Sequence, residues 1–424
     1  MKLKVHEEMN YLMWEDGSPF FYLGDTAWEM VHQLTISEIE YYLEVRKNQG
    51  FNVIQVVALA EFDGLETPNA YGHRPLEKTE GQYDPCKPCI KEGQDYWKHL
   101  DDTIQLAASK GLFIGLLPTW GDKYNLKWGK GPEIFDEQNA YVYGRWLANR
   151  YRNNWNIIWI IGGDRPLETD KHCAIIDSMA RGIKEVDDVH LMTFHPNGTC
   201  SSVDYVCNKD YIDFHMVQSG HGIEAYDSYQ LLRKTKKREN KPVIDGEPRY
   251  EDHPVCFKAE LGVLWDAQDV RNNAYWNLME GVCGHVYGNH ATWAFKTNAD
   301  SYWAYNWHEV MNHPGAEQMK YLFQLRMMYD YYSFRPFPEI VEQHATATSY
   351  QSAGRGNNYA YIYTPIGQPI LANLDVFGGS IIKASWFNPS NGELSYYKTL
   401  PAKQCLCVPP ATEKDWVLVL EKID

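Results

Sequence analysis

Asn-Ile-Ile-Trp-Ile-Ile-Gly-Gly-Asp, residues 156 to 164, and Pro-Val-Ile-Asp-Gly-Glu, residues 242 to 247, decide the fold of this chain. Each is a short apolar run that ends in a carboxylate. Runs of this kind, bounded by Gly and Pro and followed by helix-like stretches, read as buried parallel strands, and a carboxylate just past the C-terminal end of such a strand lies where barrel enzymes do chemistry. Working outward from them, strand-like and helix-like segments alternate until they count to eight.

The expected strands are Phe20 to Gly24, reaching Asp25; Phe51 to Leu59; Leu112 to Leu117; Asn156 to Gly163; Leu191 to Phe194; Tyr211 to Val217; Pro242 to Asp245; and Cys283 to Tyr287. Between them Thr35-Ile-Ser-Glu38 makes a capping box that opens the first helix, which closes at Gly50. Further helices are expected at 94–110 (ended by Gly111), 136–152, 171–187, 224–239 and 269–280. Residues 195–210 show no helix, so the fifth crossover is expected to be short or irregular. Eight units imply a closed (β/α)8 barrel, and no Gly-x-Gly-x-x-Gly follows the first strand to favour an open doubly wound sheet. A last amphipathic helix spans 316–332, and Arg335-Pro-Phe-Pro338 marks a boundary. The division expected is a catalytic barrel over 1–335 and a small β-sandwich over 336–424, where short alternating strands (359–364, 381–387, 416–420) and the turn Asn388-Pro-Ser-Asn-Gly392 replace the helical period. That sandwich is read as a packing domain over barrel helices, ahead of a sugar-binding module.

Composition narrows the function. A net charge of −16 opposes nucleic acid and anionic membrane surfaces, both polyanions. Fifteen Trp and thirty Tyr supply flat amphipathic faces of the kind on which sugar rings stack. Nine cysteines make no disulfide framework, and the isolated Cys86-Lys-Pro-Cys89 is assigned no chemistry. The N-terminus lacks an apolar signal core and no stretch reaches the roughly 18 apolar residues of a membrane span. The chain as given reads as cytoplasmic, or as periplasmic or secreted if a signal peptide was removed; its oligomeric state is open.

Side chains two apart share a strand face, which points Ile160, Gly162 and Asp164 into the barrel with Asp164 topmost, and Asp245 and Glu247 inward with Glu247 at the rim. Two carboxyl groups across a barrel mouth are the machinery of glycoside hydrolysis: about 5 to 5.5 Å apart in retaining enzymes, roughly 6.5 to 9.5 Å in inverting ones. Around them a ring of polar and aromatic strand-end residues is expected to bind substrate: Asp25, Trp28, Glu61, Trp120, Asp122, His195, His215, Gln218, Tyr287, His290 and Trp293, with Asn289 beside them. The long loop 60–93 and the segment 288–312, with Trp293, Trp303 and Trp307, are expected to shape the pocket. A metal-dependent hydrolase using His195, His215, His285 and His290 would want a His-x-His pair on the first strand, which the chain lacks; no metal and no cofactor are expected.

Gly-Asp-Thr-Ala-Trp (24–28), Asn-Val-Ile-Gln-Val-Val (52–57), Gly-Gly-Asp (162–164), Thr-Phe-His-Pro (193–196) and Gly-Glu-Pro-Arg-Tyr-Glu (246–251) together resemble the apiosidase-like glycoside hydrolases, family 140. The tail, with Trp386 to Gly392, Pro409-Pro410 and Asp415 to Leu420, is similar to the C-terminal domain, named after collagen binding, that accompanies them. The resemblance implies a barrel plus β-sandwich, Asp164 as acid/base and Glu247 as nucleophile of a retaining double displacement, and a plant cell-wall glycan bearing D-apiose, such as rhamnogalacturonan II, as substrate. Gly-Asp stands here where the wider clan has Asn-Glu, which matches the apiosidase-like branch and removes the Asn that would bond the sugar 2-hydroxyl. An α-L-arabinofuranosidase of the same clan and a non-catalytic glycan-binding barrel are the alternatives.

Overall fold

The computed structural model of the chain describes residues 2–7, 11–223, 227–342, 346–379 and 381–423. Eight parallel strands form the barrel: β1 Tyr22–Thr26, β2 Val53–Val57, β3 Phe113–Leu117, β4 Ile157–Gly162, β5 Met192–His195, β6 His215–Gln218, β7 Val243–Asp245 and β8 Gly284–Tyr287. They are ordered β5-β4-β3-β2-β1-β8-β7-β6, every neighbouring pair in parallel register. The remaining seam, β5 to β6, is closed by Asp213: its N–H donates to Met192 O at 2.9 Å and its Oδ2 accepts from Met192 N at 2.7 Å. The irregular crossover expected there is a two-residue strand, Cys200–Ser201, antiparallel to β6, and a single helical turn, Val203–Val206.

The crossover helices are α1 Ile36–Asn48, α2 Tyr96–Ser109, α3 Glu137–Tyr151, α4 Asp170–Val186, α5 Val203–Val206, α6 Ser228–Arg238, α7 Ala267–Met279 and α8 Pro314–Arg326. Thr35 caps α1 with the expected capping box to Glu38, and Asp136 and Asp266 do the same for α3 and α7. The start expected for α6 at Glu224 lies outside the described residues. A hairpin, Leu76–Thr79 with Gln82–Pro88, occupies about a third of the long loop after β2.

Period-two alternation sorts the barrel residues. Inward, Tyr22 Oη bonds Gln55 Oε1 at 3.1 Å, and Gln55 Nε2 crosses the interior to Gly246 O at 2.9 Å. A Cβ on Gly115 would lie 2.8 Å from Ile160 Cδ1 and 3.0 Å from Tyr22 Oη, so a bare glycine lets these layers meet. Outward, Trp159 Nε1 donates to Asp187 Oδ2 at 2.9 Å below α4.

Beyond the barrel, Ser352–Arg355 (β9), Tyr359–Thr364 (β10), Ile370–Asn373 (β11), Ile381–Phe387 (β12), Leu394–Pro401 (β13), Gln404–Cys407 (β14) and Trp416–Lys422 (β15) make an antiparallel unit. The main sheet runs Arg335–Pro336, β9, β10, β15, β12, β13, and β11 pairs with β14 separately. Ile362, Ile382, Leu418 and Leu420 face the β11–β14 pair through Ile370 and Ala372 in one core. The other face of β10 carries Tyr359, Tyr361 and Tyr363 onto the barrel: Tyr361 Oη donates to Leu325 O at 2.9 Å and Tyr363 Oη to Asn272 Oδ1 at 2.5 Å. Arg271 of α7 reaches Asp415 through two bonds, 3.0 and 2.7 Å, with both side chains almost fully buried. The sandwich therefore covers α7 and α8, the packing role read from its sequence. All nine cysteines are free thiols. Among the described residues no helix is long and apolar enough to cross a membrane.

Candidate active site

A cavity of about 620 Å³ opens at the C-terminal ends of the barrel strands, within the roughly 300–1,000 Å³ usual for small-ligand sites. Asp164 and Glu247 both line it. From the last residue of β4 onward the backbone takes three successive left-handed conformations, Gly162 (φ 98°), Gly163 (φ 122°) and Asp164 (φ 52°). The glycines are required twice over, because a Cβ at Gly162 would stand 2.5 Å from His195 O and one at Gly163 2.8 Å from Gly121 N. Gly163 is bonded on both sides, its N–H to His195 O at 3.1 Å and its carbonyl from Gly121 N at 3.0 Å. The turn is thereby fixed, and a non-glycine residue in a left-handed conformation is the kind of strain that concentrates at functional sites.

The two carboxylates sit in opposite environments. Asp164 Oδ2 accepts from Arg165 Nη1 at 3.0 Å and from Trp128 Nε1 at 3.1 Å. Burial and the nearby negative Glu247 nevertheless raise its pKa above the usual aspartate value, against the pull of Arg165, His195 and Trp128. Glu247 is also desolvated, which alone would raise its pKa, but His195 and His221 overcome this and hold it down at about 2. His221 Nε2 is 2.9 Å from Glu247 Oε1, and His195 Nε2 is 3.0 Å from Oε2. The Asp164 N–H points at His195 Nδ1 from 3.3 Å, so that nitrogen accepts, and in the neutral ring the proton sits on Nε2, facing Glu247. His195 thus ties the Asp164 turn to the Glu247 carboxylate.

Of the expected ring, Trp28, Glu61, Trp120, Gln218, His290 and Trp293 line the cavity. His195 lies just beneath, boxed by Trp28 and Trp120 at 5.3 and 5.8 Å between ring centroids. Glu61 accepts from the buried Arg165 at 3.1 Å, and burial lifts its pKa to about 7. The other members are elsewhere. Asp25 and Tyr287 end their strands facing outward: Asp25 pairs with Arg46 and Tyr42 of α1, and Tyr287 donates to Glu251 Oε2 at 2.5 Å. Asp122 is consumed in the β3 loop, by Lys123 at 2.7 Å and Gly131 N at 2.9 Å. His215 begins β6 instead of approaching its end, because the strand starts four residues later than expected, and it bonds Ser202 Oγ at 2.7 Å and faces Glu239 at 3.1 Å at the far side of the barrel. Asn289 is held by Asp252 at 2.6 Å. Asp245 also departs from expectation: it faces α7, bonding Asn277 Nδ2 at 2.8 Å and Ser219 Oγ at 2.7 Å, since β7 ends there and Glu247 turns inward only after Gly246. Trp307 is fully buried against Phe295, away from the cavity, whereas Trp303 stacks on His290.

Sequence reading missed Trp128, His221, Tyr250, His253, Phe257 and Tyr302, which complete the cavity wall from loops. Ser-Gly-His-Gly (219–222) follows β6 just as Gly-Gly-Asp follows β4, and that strand-end pattern was the available signal for His221. The others lie on loops without a period. Among the described residues no group of three or more His, Cys, Asp or Glu side chains is arranged to hold a metal ion.

The family model described as "Apiosidase-like, catalytic domain" matches residues 6–333. The chain belongs to the apiosidase-like family. Its barrel is that of a glycoside hydrolase, and the sequence resemblance is borne out. A second model, "Putative collagen-binding domain of a collagenase", matches residues 338–421. A solved structure named "Glycoside hydrolase" is 32% identical with a TM-score of 0.90, the match covering 99% of this chain and 97% of that one. A family 5 glycoside hydrolase from Bacteroides vulgatus ATCC 8482 is likewise 32% identical with a TM-score of 0.90, covering 99% and 94%. A family 27 β-L-arabinopyranosidase from Geobacillus stearothermophilus, at 12% identity, TM-score 0.54 and coverage of 96% and 97%, shares the fold alone. A search of curated proteins gave no match.

Proposed function

We propose that this glycoside hydrolase is retaining and releases a pentofuranosyl residue, D-apiose, from a plant cell-wall glycan such as rhamnogalacturonan II, with residues 1–335 as the catalytic unit and 336–424 as its supporting sandwich. The observation that carries the mechanism is the divergent setting of the two carboxylates: pairs of titratable groups whose surroundings push their pKa values apart take acid and base roles. Glu247, kept ionised by His195 and His221, is the nucleophile that attacks the anomeric carbon. Asp164, whose proton is favoured by burial and by the charge on Glu247, protonates the leaving oxygen and then takes a proton from the water that hydrolyses the glycosyl enzyme. His195 Nε2, 3.0 Å from Glu247 Oε2, supports the carboxylate before attack. Trp28, Trp120 and Trp293 give the apolar floor a furanose ring requires, and family membership supports apiose as that ring.

The test is sugar release from apiose-bearing glycan side chains by wild type and Glu247→Gln. Apiose from wild type only is the expected result. Release of arabinose in its place would move the specificity to an arabinofuranosidase, and equal release by the variant would remove Glu247 from the nucleophile role.

A further inference from the structure

Three histidines line one side of the cavity: His221 after β6, His253 after β7 and His290 after β8. Their rings touch in series, His221 on His253 at 4.7 Å and His253 on His290 at 4.5 Å between centroids, and His290 lies flat on Trp303 at 4.2 Å and 8°. Each ring is anchored through one nitrogen to an oxygen that can only accept. His253 Nδ1 is 2.8 Å from Pro254 O, His290 Nε2 is 3.1 Å from Tyr302 O, and His221 Nε2 is 2.9 Å from Glu247 Oε1. The anchoring nitrogens therefore carry the protons, and the opposite nitrogens, His253 Nε2, His290 Nδ1 and His221 Nδ1, present lone pairs. His290 Nδ1 and His221 Nδ1 are buried polar atoms with no protein partner, in residues only 2% and 8% exposed. A buried acceptor left unpaired is costly, and one lining a cavity is met by a donor on the ligand. Burial keeps His253 and His290 neutral, pushing the His253 pKa far down and that of His290 to about 3.

The rest of the wall points the same way. Among the described residues it includes the carboxylates Glu61, Asp164 and Glu247 but no Lys or Arg. Glu61 and Asp164 are both paired with the buried Arg165, so the charge that faces the cavity is chiefly that of Glu247, and together with the histidine lone pairs it attracts hydroxyl hydrogens and repels a carboxylate on the ligand. This deepens the reading of the protein as a glycosidase and rests on it.

We propose that His253 and His290 are substrate-binding residues that accept from adjacent hydroxyls of an uncharged sugar, so that the cavity takes a neutral residue and refuses a uronic acid.

The test is binding of free D-apiose, L-arabinose and D-galacturonate to the full chain, followed by saturation-transfer NMR titration, for wild type, His253→Asn and His290→Gln. Each replacement keeps an N–H to hold the carbonyl anchor and deletes the lone pair opposite. The expected result is galacturonate at least tenfold weaker than a neutral pentose in wild type, and a threefold to tenfold loss of neutral-sugar affinity in each variant, on the order of one net hydrogen bond. Near-UV circular dichroism reports whether each variant is folded, and either variant alone suffices. Unchanged neutral-sugar affinity in a folded variant, or galacturonate bound as tightly as the pentoses, would overturn the proposal. Weakened binding in the variants alongside full hydrolysis by Glu247→Gln would sink the nucleophile assignment while supporting this one. No neutral sugar bound by wild type would overturn both.

Discussion

Replacing His221 by Phe should move the acid limb of the pH profile. In the native site Glu247 is held at about 2 because two imidazoles outweigh its desolvation, and His221 supplies the contact to Oε1 at 2.9 Å. A hydrogen bond to a charged group contributes about 1.5–3 kcal/mol, and one pKa unit corresponds to about 1.36 kcal/mol, so losing it raises the Glu247 pKa by roughly one to two units. Phe preserves the ring contacts with Tyr250 at 4.2 Å and His253 at 4.7 Å, which isolates the polar loss. The sign follows directly: Glu247 must be ionised to attack, so activity is lost as pH falls through its pKa, and a higher pKa moves that loss to a higher pH. Initial rates of sugar release between pH 2.5 and 8, with near-UV circular dichroism at each pH, would show an acid limb near 3–4 in the variant where wild type, its Glu247 held at about 2, still holds its plateau. A folded variant whose acid limb stays in place would refute the claim that His221 holds the nucleophile ionised.

Asp164→Asn should lose several orders of magnitude on natural linkages and least on substrates with good leaving groups; equal loss on all would count against the acid role. On the alkaline side activity should fall as pH rises through the elevated Asp164 pKa, and Asp164→Asn should abolish that limb in a kcat/KM profile. Gly163→Ala, which forces a Cβ within 2.8 Å of Gly121 N at φ 122°, should destabilise by about 1–3 kcal/mol or more in urea denaturation and depress activity together with it. Arg271→Ala strands the buried Asp415 and should cost about 3–5 kcal/mol, while the paired change to two apolar residues should cost far less.

Much of the barrel was legible because the apolar runs are short, β-branched and punctuated: the 156–164 run gives β4 and its Gly-Gly-Asp turn, and Thr35 to Glu38 gives the start of α1. The carboxylates were legible because a charge that ends a buried run has few bland explanations. Facing was harder. Asp25, Asp245 and Tyr287 are at or next to strand ends, yet one residue of register decides whether a side chain meets the cavity or the outer layer: Asp25 meets α1, Asp245 meets α7, and Tyr287 meets Glu251 of the loop after β7. His215 was misplaced by a strand start read four residues early. Of the histidine wall, His290 was legible from its place after the eighth strand and Ser-Gly-His-Gly carried a signal for His221, whereas His253 had none, because it reaches the cavity from a loop after β7 whose path is set by tertiary contacts with the other two rings.

Whether Glu247 and Asp164 cleave a glycosidic bond to a neutral pentofuranose is decided by chromatography of the sugars released from apiose-bearing and arabinofuranose-bearing plant cell-wall glycans by wild type and Glu247→Gln. Free apiose from wild type, with none from the variant, is the predicted result; apiose released equally by both, or no sugar released from any glycan by a folded wild type, would contradict it.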